Sequence, residues 1–198
     1  MYPKTITNLI ECFKKFPGIG EKTAERLALS CLEMNEETIE LFTNSLKDTK
    51  TKIKTCKNCG NLCEDDECVI CKDKTRDKTM LCVVEESKNI ALFEKIGSFN
   101  GLYHVLGGLI SPLDGINPED INISSLLNRI EENKIKEIIL AVKPTVEGET
   151  TALYIRKILE GKDVIISKIA HGVPMGADID YIDPLTLEIA LSDRTTFS

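Results

Sequence analysis

Three observations predict an α/β protein built as an N-terminal helical hairpin region, a small cysteine-built module, a parallel sheet with helices on both faces, and a short C-terminal tail. Up to residue 54 the apolar residues recur at three- and four-residue spacing, the period of a helix with one buried face. Residues 56–71 concentrate cysteines and show almost no hydrophobic period. From residue 79 onward short apolar runs alternate with amphipathic stretches, the pattern of parallel strands joined by crossover helices. These changes of pattern place the parts at 1–54, 55–72, 79–172 and 173–198.

Taken in order, Ile6, Leu9, Ile10 and Phe13 form the apolar face of a first helix. "FPGIGEK" interrupts it, because Pro17, Gly18 and Gly20 do not continue a helix comfortably. A second helix carries Ala24, Leu27, Ala28, Cys31 and Leu32 on one face. Asn35 is a good N-cap for a third, which carries Ile39, Phe42, Leu46 and Ile53. "MLCVVEE" reads as a buried strand, and 87–96 as a helix closed by Gly97. "LYHVL" is a second strand, followed by the loop "GGLISPLDGINPED". Ser124 opens another helix, "KEIILAV" is a strand, 150–159 a helix ending at Gly161, and "DVIISKIA" a strand. "PLTLEIAL" reads as the last helix. Cys12, Cys31 and Cys82 fall on apolar faces and read as small core residues.

The chain of 198 residues is long enough to bury a sizeable core. No run approaches the ~18 apolar residues of a membrane span, and "MYPKTITNLIECFKKF" lacks the apolar stretch and cleavage site of a signal peptide. A cytoplasmic protein with no membrane partner is expected. The net charge of −7 argues mildly against nucleic acid, but local patches decide such contacts. Residues 47–57, "KDTKTKIKTCK", carry five Lys against one Asp.

In "CKNCGNLCEDDECVIC", Cys56 and Cys59 form one C-x₂-C, and Cys68 and Cys71 a second after eight intervening residues. Each C-x₂-C turn presents two thiolates to one ion, and two complete a tetrahedral site. Thiolates are soft ligands, so one structural Zn²⁺ per chain is expected. The short spacer allows only a compact loop or hairpin. Cys63 is a fifth candidate, left out because four positions are already filled. A redox C-x-x-C would open a helix in a thioredoxin-like unit, a context this segment lacks. Four Cys ligands leave no open position for catalysis.

"FPGIGEKTAERLA" is a tight turn between helices, its glycines leaving backbone N–H groups uncovered at the start of the second. Such groups, with the helix dipole behind them, suit a phosphate oxygen. Gly18, Ile19 and Gly20 form the turn, and Lys22 and Arg26 sit four apart on the following helix. Nothing here reads a base edge, so any DNA binding would be sequence-independent and salt-sensitive. On spacing alone an ordinary αα-hairpin with solvated charges fits equally well. The segment resembles the helix-hairpin-helix of many DNA-binding proteins, and that resemblance favours DNA.

"LAVKPTVEGETTA", residues 140–152, runs from an apolar strand into a turn with Glu147 and Glu149, then a helix. The α/β segment resembles the Toprim domain of primases and topoisomerases, in which a Glu follows the first strand and an Asp-x-Asp ends a later one. The resemblance implies that these acids together hold Mg²⁺. "VVEE" supplies the first as Glu85, with Glu86 beside it, but Lys143-Pro144-Thr145 stands where the Asp-x-Asp would be. Mg²⁺ is held by carboxylates, so an ammonium and a hydroxyl there remove ligands and add repulsion. Glu85, Glu147 and Glu149 therefore read as vestigial acids, kept as a partner contact or a weak Mg²⁺ site. Tyr2, Tyr103, Tyr154 and Tyr181 have no catalytic setting, and His104 and His171 read as packing and turn residues.

The order of these parts, with "SPLDGI", "PTVEGE", "IAHGVPMGADIDYID" and "TLEIAL", resembles the RecR family of bacterial recombination mediators over nearly the whole chain. Lys143 departs from the Asn expected there. The resemblance implies a non-enzymatic, DNA-binding role in recombinational repair. It also implies a ring-shaped homotetramer that acts with RecO and RecF to help load recombinase on single-stranded DNA. A Mg²⁺-dependent Toprim enzyme, nuclease or primase-like, is the alternative. A zinc-ribbon interaction module that never touches DNA is a third reading.

Overall fold

The computed structural model describes residues 2–170 and 172–194; His171 lies outside the described residues. The chain divides into two units, Met1–Ile53 and Lys54–Ser198.

The first unit holds α1 (Lys4–Phe13), α2 (Glu21–Glu33) and α3 (Glu36–Lys52). Ile10, Ala24 and Ala28 form its buried centre, with Ile6, Leu9, Phe13 and Ile19 packed around them. The alanines, one helical turn apart on α2, leave room for the larger side chains of α1. Asn35 caps α3 as the sequence predicts, its Oδ1 accepting from Thr38 N at 2.8 Å. Two expectations fail. Cys12 is exposed and not a core residue, because it lies off the α1 face that meets α2, whereas Cys82 is buried and Cys31 half-buried. The apolar face of α3 is not buried either: Phe42 is 47% and Leu46 50% exposed. Helical periodicity marks a face that wants cover without saying what covers it.

The second unit begins with a hairpin, β1 (Lys54–Thr55) antiparallel to β2 (Leu62–Cys63), and a single turn of helix, α4 (Val69–Lys72). A sheet follows, made of β3 (Asp77–Val84), β4 (Gly101–Val105), β5 (Glu137–Ala141) and β6 (Ile165–Lys168). Its strands are parallel and ordered β4-β3-β5-β6. The crossover helices are α5 (Ser87–Ile96), α6 (Ile123–Asn133) and α7 (Val146–Ile158).

Period-two alternation along the strands sorts two cores. Leu81, Val83, Ile138 and Leu140 face α6 and α7, where Leu126, Ile130 and Ile155 meet them. Cys82, Val84, Tyr103 and Val105 face α5 and the cysteine module, with Ile90 and Ile70. Both faces are covered, which is why the strands read as continuous apolar runs. The chain steps from β3 outward to β4, then returns to lay β5 and β6 on the other side. That reversal opens a crevice beyond the carboxyl ends of β3 and β5, the usual ligand position in such sheets.

One helix starts earlier than the sequence suggests. α7 begins at Val146, not at residue 150, because Thr145 caps it, its Oγ1 accepting from Gly148 N at 3.2 Å. In the tail, α8 (Pro184–Ser192) opens with a Pro at its first position and Asp183 as N-cap, accepting from Thr186 N at 2.9 Å.

Candidate zinc centre, hairpin turn and acidic crevice

The β1–β2 hairpin ends in the first C-x₂-C turn, closed by Cys56 N to Asn61 O at 2.7 Å and Gly60 N to Cys56 O at 2.9 Å. The second turn opens α4. Together they bring the sulfurs of Cys56, Cys59, Cys68 and Cys71 within 4.8 Å of one another, with Cys59 and Cys68 at 3.5 Å. Tetrahedral zinc–thiolate bonds of about 2.3 Å put sulfurs roughly 3.8 Å apart, so the donor set fits one structural Zn²⁺. Cys63 stands aside, its thiol donating to the Asp65 carbonyl at 2.9 Å. Backbone N–H groups support the sulfurs: Cys68 N reaches Cys56 at 3.3 Å and Asn61 N reaches Cys59 at 3.5 Å.

The module is seated on the sheet. Val105 N donates to Cys59 O at 2.7 Å, and Ser87 Oγ to Gly60 O at 3.3 Å. Gly60 has φ +76°, and a Cβ there would lie 3.1 Å from Val105, so turn and strand both require glycine.

In the helical unit, Gly18 takes φ +79° and Gly20 stands at the N-cap of α2 without a side-chain cap. Ile19 turns inward onto the hairpin core. Gly18, Gly20, Lys22 and Arg26 are exposed. Nearby Lys14 is held by Glu11 and Glu21 at 2.9 and 2.6 Å, while Lys22 and Arg26 form no ion pair among the described residues.

At the crevice, Glu85 follows β3 directly. Lys143, just past β5, places Nζ 3.0 Å from Glu85 Oε1. A groove of about 280 Å³ opens beside this pair, walled by Asn89, Leu92, Phe93 and Ala141. Glu147 and Glu149 lie in the first turn of α7. Two residues apart on a helix, they point to different sides. Glu149 pairs with Lys168 at 2.9 Å. Glu147 is held below the usual carboxylate range by its own backbone N–H, then by the Thr145 hydroxyl. The three acids are thus not gathered into one cluster among the described residues; only the four cysteines are. "PTVEGE" has a structural logic of its own: a Cβ at Gly148 would sit 1.9 Å from the Lys143 carbonyl, and Thr151 Oγ1 donates to Glu147 O and accepts from Ile110 N.

Sequence reasoning missed Arg129. It is 6% exposed on α6, donates from Nη1 to the Tyr103 carbonyl and from Nη2 to Cys71 Sγ at 3.7 Å. Its signal was present as an Arg within the apolar stripe Ile123, Leu126, Ile130.

Comparison with known proteins places these parts in one frame. Family models match residues 79–170 as the Toprim domain, 6–50 as the RecR helix-hairpin-helix, 53–73 as the RecR four-cysteine zinc finger domain and 172–195 as the RecR C-terminal region. Fold and site therefore define a Toprim protein carrying a four-cysteine zinc finger and a helix-hairpin-helix. Recombination protein RecR of Staphylococcus saprophyticus is 46% identical over 194 residues, 98% of each chain, and that of Staphylococcus haemolyticus 45% identical over the same share. The chain belongs to the RecR family of recombination proteins. Among the described residues no helix is long and apolar enough to cross a membrane.

Proposed function

We propose that this chain is a non-enzymatic mediator of recombinational DNA repair that binds DNA without reading its sequence. The observation that carries the reading is the α2 N-terminus. Its N–H groups follow a positive-φ Gly18 without a side-chain cap, and exposed Lys22 and Arg26 lie along the next turns. Backbone donors and a helix dipole bind a phosphate oxygen, and the two cations reach its neighbours.

Gly18, Ile19, Gly20, Lys22 and Arg26 make up this DNA-contacting element, with Ile19 holding the turn from inside. The chain acts as a homotetrameric ring in the cytoplasm, with RecO and RecF, to help load recombinase on single-stranded DNA. Uncovered apolar faces support the oligomer: Phe42 and Leu46 on α3, and Leu185 and Leu191, both more than 60% exposed, on α8. A ring also reconciles the net charge of −7 with DNA, since only its inner surface need be basic.

The Toprim acids are a retained surface for a partner, not a reaction centre. The ammonium of Lys143 at Glu85 and the use of Thr145 as a helix cap support that reading over a Mg²⁺-dependent enzyme.

Fluorescence anisotropy of a labelled gapped DNA, titrated at several salt concentrations in EDTA and in Mg²⁺, tests the proposal. Binding that persists in EDTA and weakens as salt rises is the expected result. Binding or cleavage that requires Mg²⁺ would return the enzyme reading. Native mass spectrometry should find the tetramer, and a monomer at every concentration would remove the ring.

A further inference from the structure

We infer that Arg129 is the outer anchor of the zinc site, a positioning residue that ties metal retention to the Toprim sheet. The inference rests on the four-cysteine centre and not on the DNA-binding proposal.

The four sulfurs are not supported alike. Cys56 and Cys59 receive backbone N–H groups from Cys68 and Asn61. Those donors are main-chain groups of the cysteine module itself. Cys71 receives instead the guanidinium of Arg129, 58 positions away in the chain. Cys71 is also the one ligand of the four that is not fully buried. It shares with Arg129 the wall of a polar cavity of about 430 Å³, together with Lys57, Glu67 and Asn128. The least buried ligand of the four is thus the one that receives a side-chain donor.

Electrostatics explains why that side chain is cationic. Four thiolates around a dication leave an excess of two negative charges, and three of the sulfurs are buried. A guanidinium buried alongside offsets part of that excess. Arginine can do this while its other nitrogen donates to the Tyr103 carbonyl of β4, because its donors form a fixed fork. One planar group thus joins α6, the edge strand and the metal ligand. Outer hydrogen bonds of this kind orient ligands and set affinity. Without the metal the thiolates take up protons and the Arg129 charge is left buried without its anion, so zinc loss should be felt first along α6.

The test uses the full chain with Arg129→Lys and Arg129→Gln, each shown to be folded by circular dichroism. Competition with a chromophoric chelator should show zinc held about 10–100-fold more weakly than in the wild type. In the cobalt-substituted proteins the sulfur-to-cobalt charge-transfer band should move to lower energy, since a thiolate that loses a hydrogen bond donates more strongly. A packing role alone would leave that band in place. Folded variants with wild-type zinc affinity and an unshifted band would overturn the inference. A measurement on the wild type guards against variants that fail to fold: hydrogen exchange with and without zinc. Zinc removal should speed exchange in α6 while α7 stays protected. Unchanged α6, or simultaneous loss in both helices, would also overturn the inference.

Discussion

The ammonium of Lys143 lies 3.0 Å from Glu85 Oε1, closing a salt bridge between the ends of β3 and β5. This is the topological reversal of the sheet, the position at which α/β proteins place ligands. Glu85 retains only 18% side-chain exposure and Lys143 53%. Lys143 is the more open of the two, and its charge opposes any cation that approaches Glu85.

Replacing that cation with an acid should therefore favour Mg²⁺ at this position. Lys143→Asp removes a positive charge and adds a hard oxygen ligand beside Glu85. Isothermal titration calorimetry should find Mg²⁺ bound at least about tenfold more tightly than by the wild type, about 1.4 kcal/mol. An unchanged titration would mean that the divergence of Glu147 and Glu149, and not Lys143, keeps metal away.

Gly148→Ala should destabilise the protein, against the usual order of helix propensity. In a free helix the change gains about 1 kcal/mol. Here the new Cβ would sit 1.9 Å from the Lys143 carbonyl, and backbone must move. Overpacking of this kind costs about 1–3 kcal/mol, a fall of several degrees in Tm at roughly 2–4 °C per kcal/mol. Thermal melts of wild type and variant decide the sign.

That glycine also shows where the sequence stops being legible. Asn35, Gly97 and the paired C-x₂-C turns announce themselves because each does its work locally, through a cap, a left-handed φ or a two-residue spacing. The strands are legible because both faces of the sheet are covered. "KPTVEGE" misleads because Pro and Gly usually mark a turn, whereas Gly148 lies inside a helix to admit a carbonyl from outside it. Once the helix starts at Val146 the two acids diverge, a consequence of helical geometry that the string of letters does not display. Arg129 is hidden for the same reason: both of its acceptors, Tyr103 O and Cys71 Sγ, are remote in sequence.

His104 should make stability depend on pH. It is 1% exposed in β4, its Nε2–H donates to the Asn122 carbonyl at 2.8 Å, and Nδ1 has no partner among the described residues. Burial lowers its pKa to about 4, against an unfolded value near 6.5. The unfolded chain therefore takes up a proton that the folded one resists. Stability is full above about pH 6.5, falls as the pH drops toward 4, and loses up to roughly 3 kcal/mol through this group. His104→Gln keeps a donor for Asn122 and cannot titrate. Urea unfolding at pH 7 and pH 5 should show a smaller acid loss in the variant; zinc release weakens both proteins at low pH, so the difference between them isolates the histidine. Equal losses would remove His104 as the source.

Lys22→Ala and Arg26→Ala should separate phosphate recognition from fold. Both side chains are exposed on α2 and form no ion pair among the described residues, so melting temperatures should stay within the small range of surface substitutions. Each phosphate contact releases condensed counterions and contributes about 0.9 to the slope of log affinity against log salt on duplex DNA. Removing one cation should lower affinity evenly across unrelated sequences and flatten the slope by about that amount. Gly18→Ala acts differently: its φ of +79° disfavours any side chain, so it should distort the turn and weaken binding without removing a charge. A slope unmoved by either charge substitution would make Lys22 and Arg26 solvated surface residues, and the phosphate-reading element would have to be sought in the lysines of residues 47–57 instead.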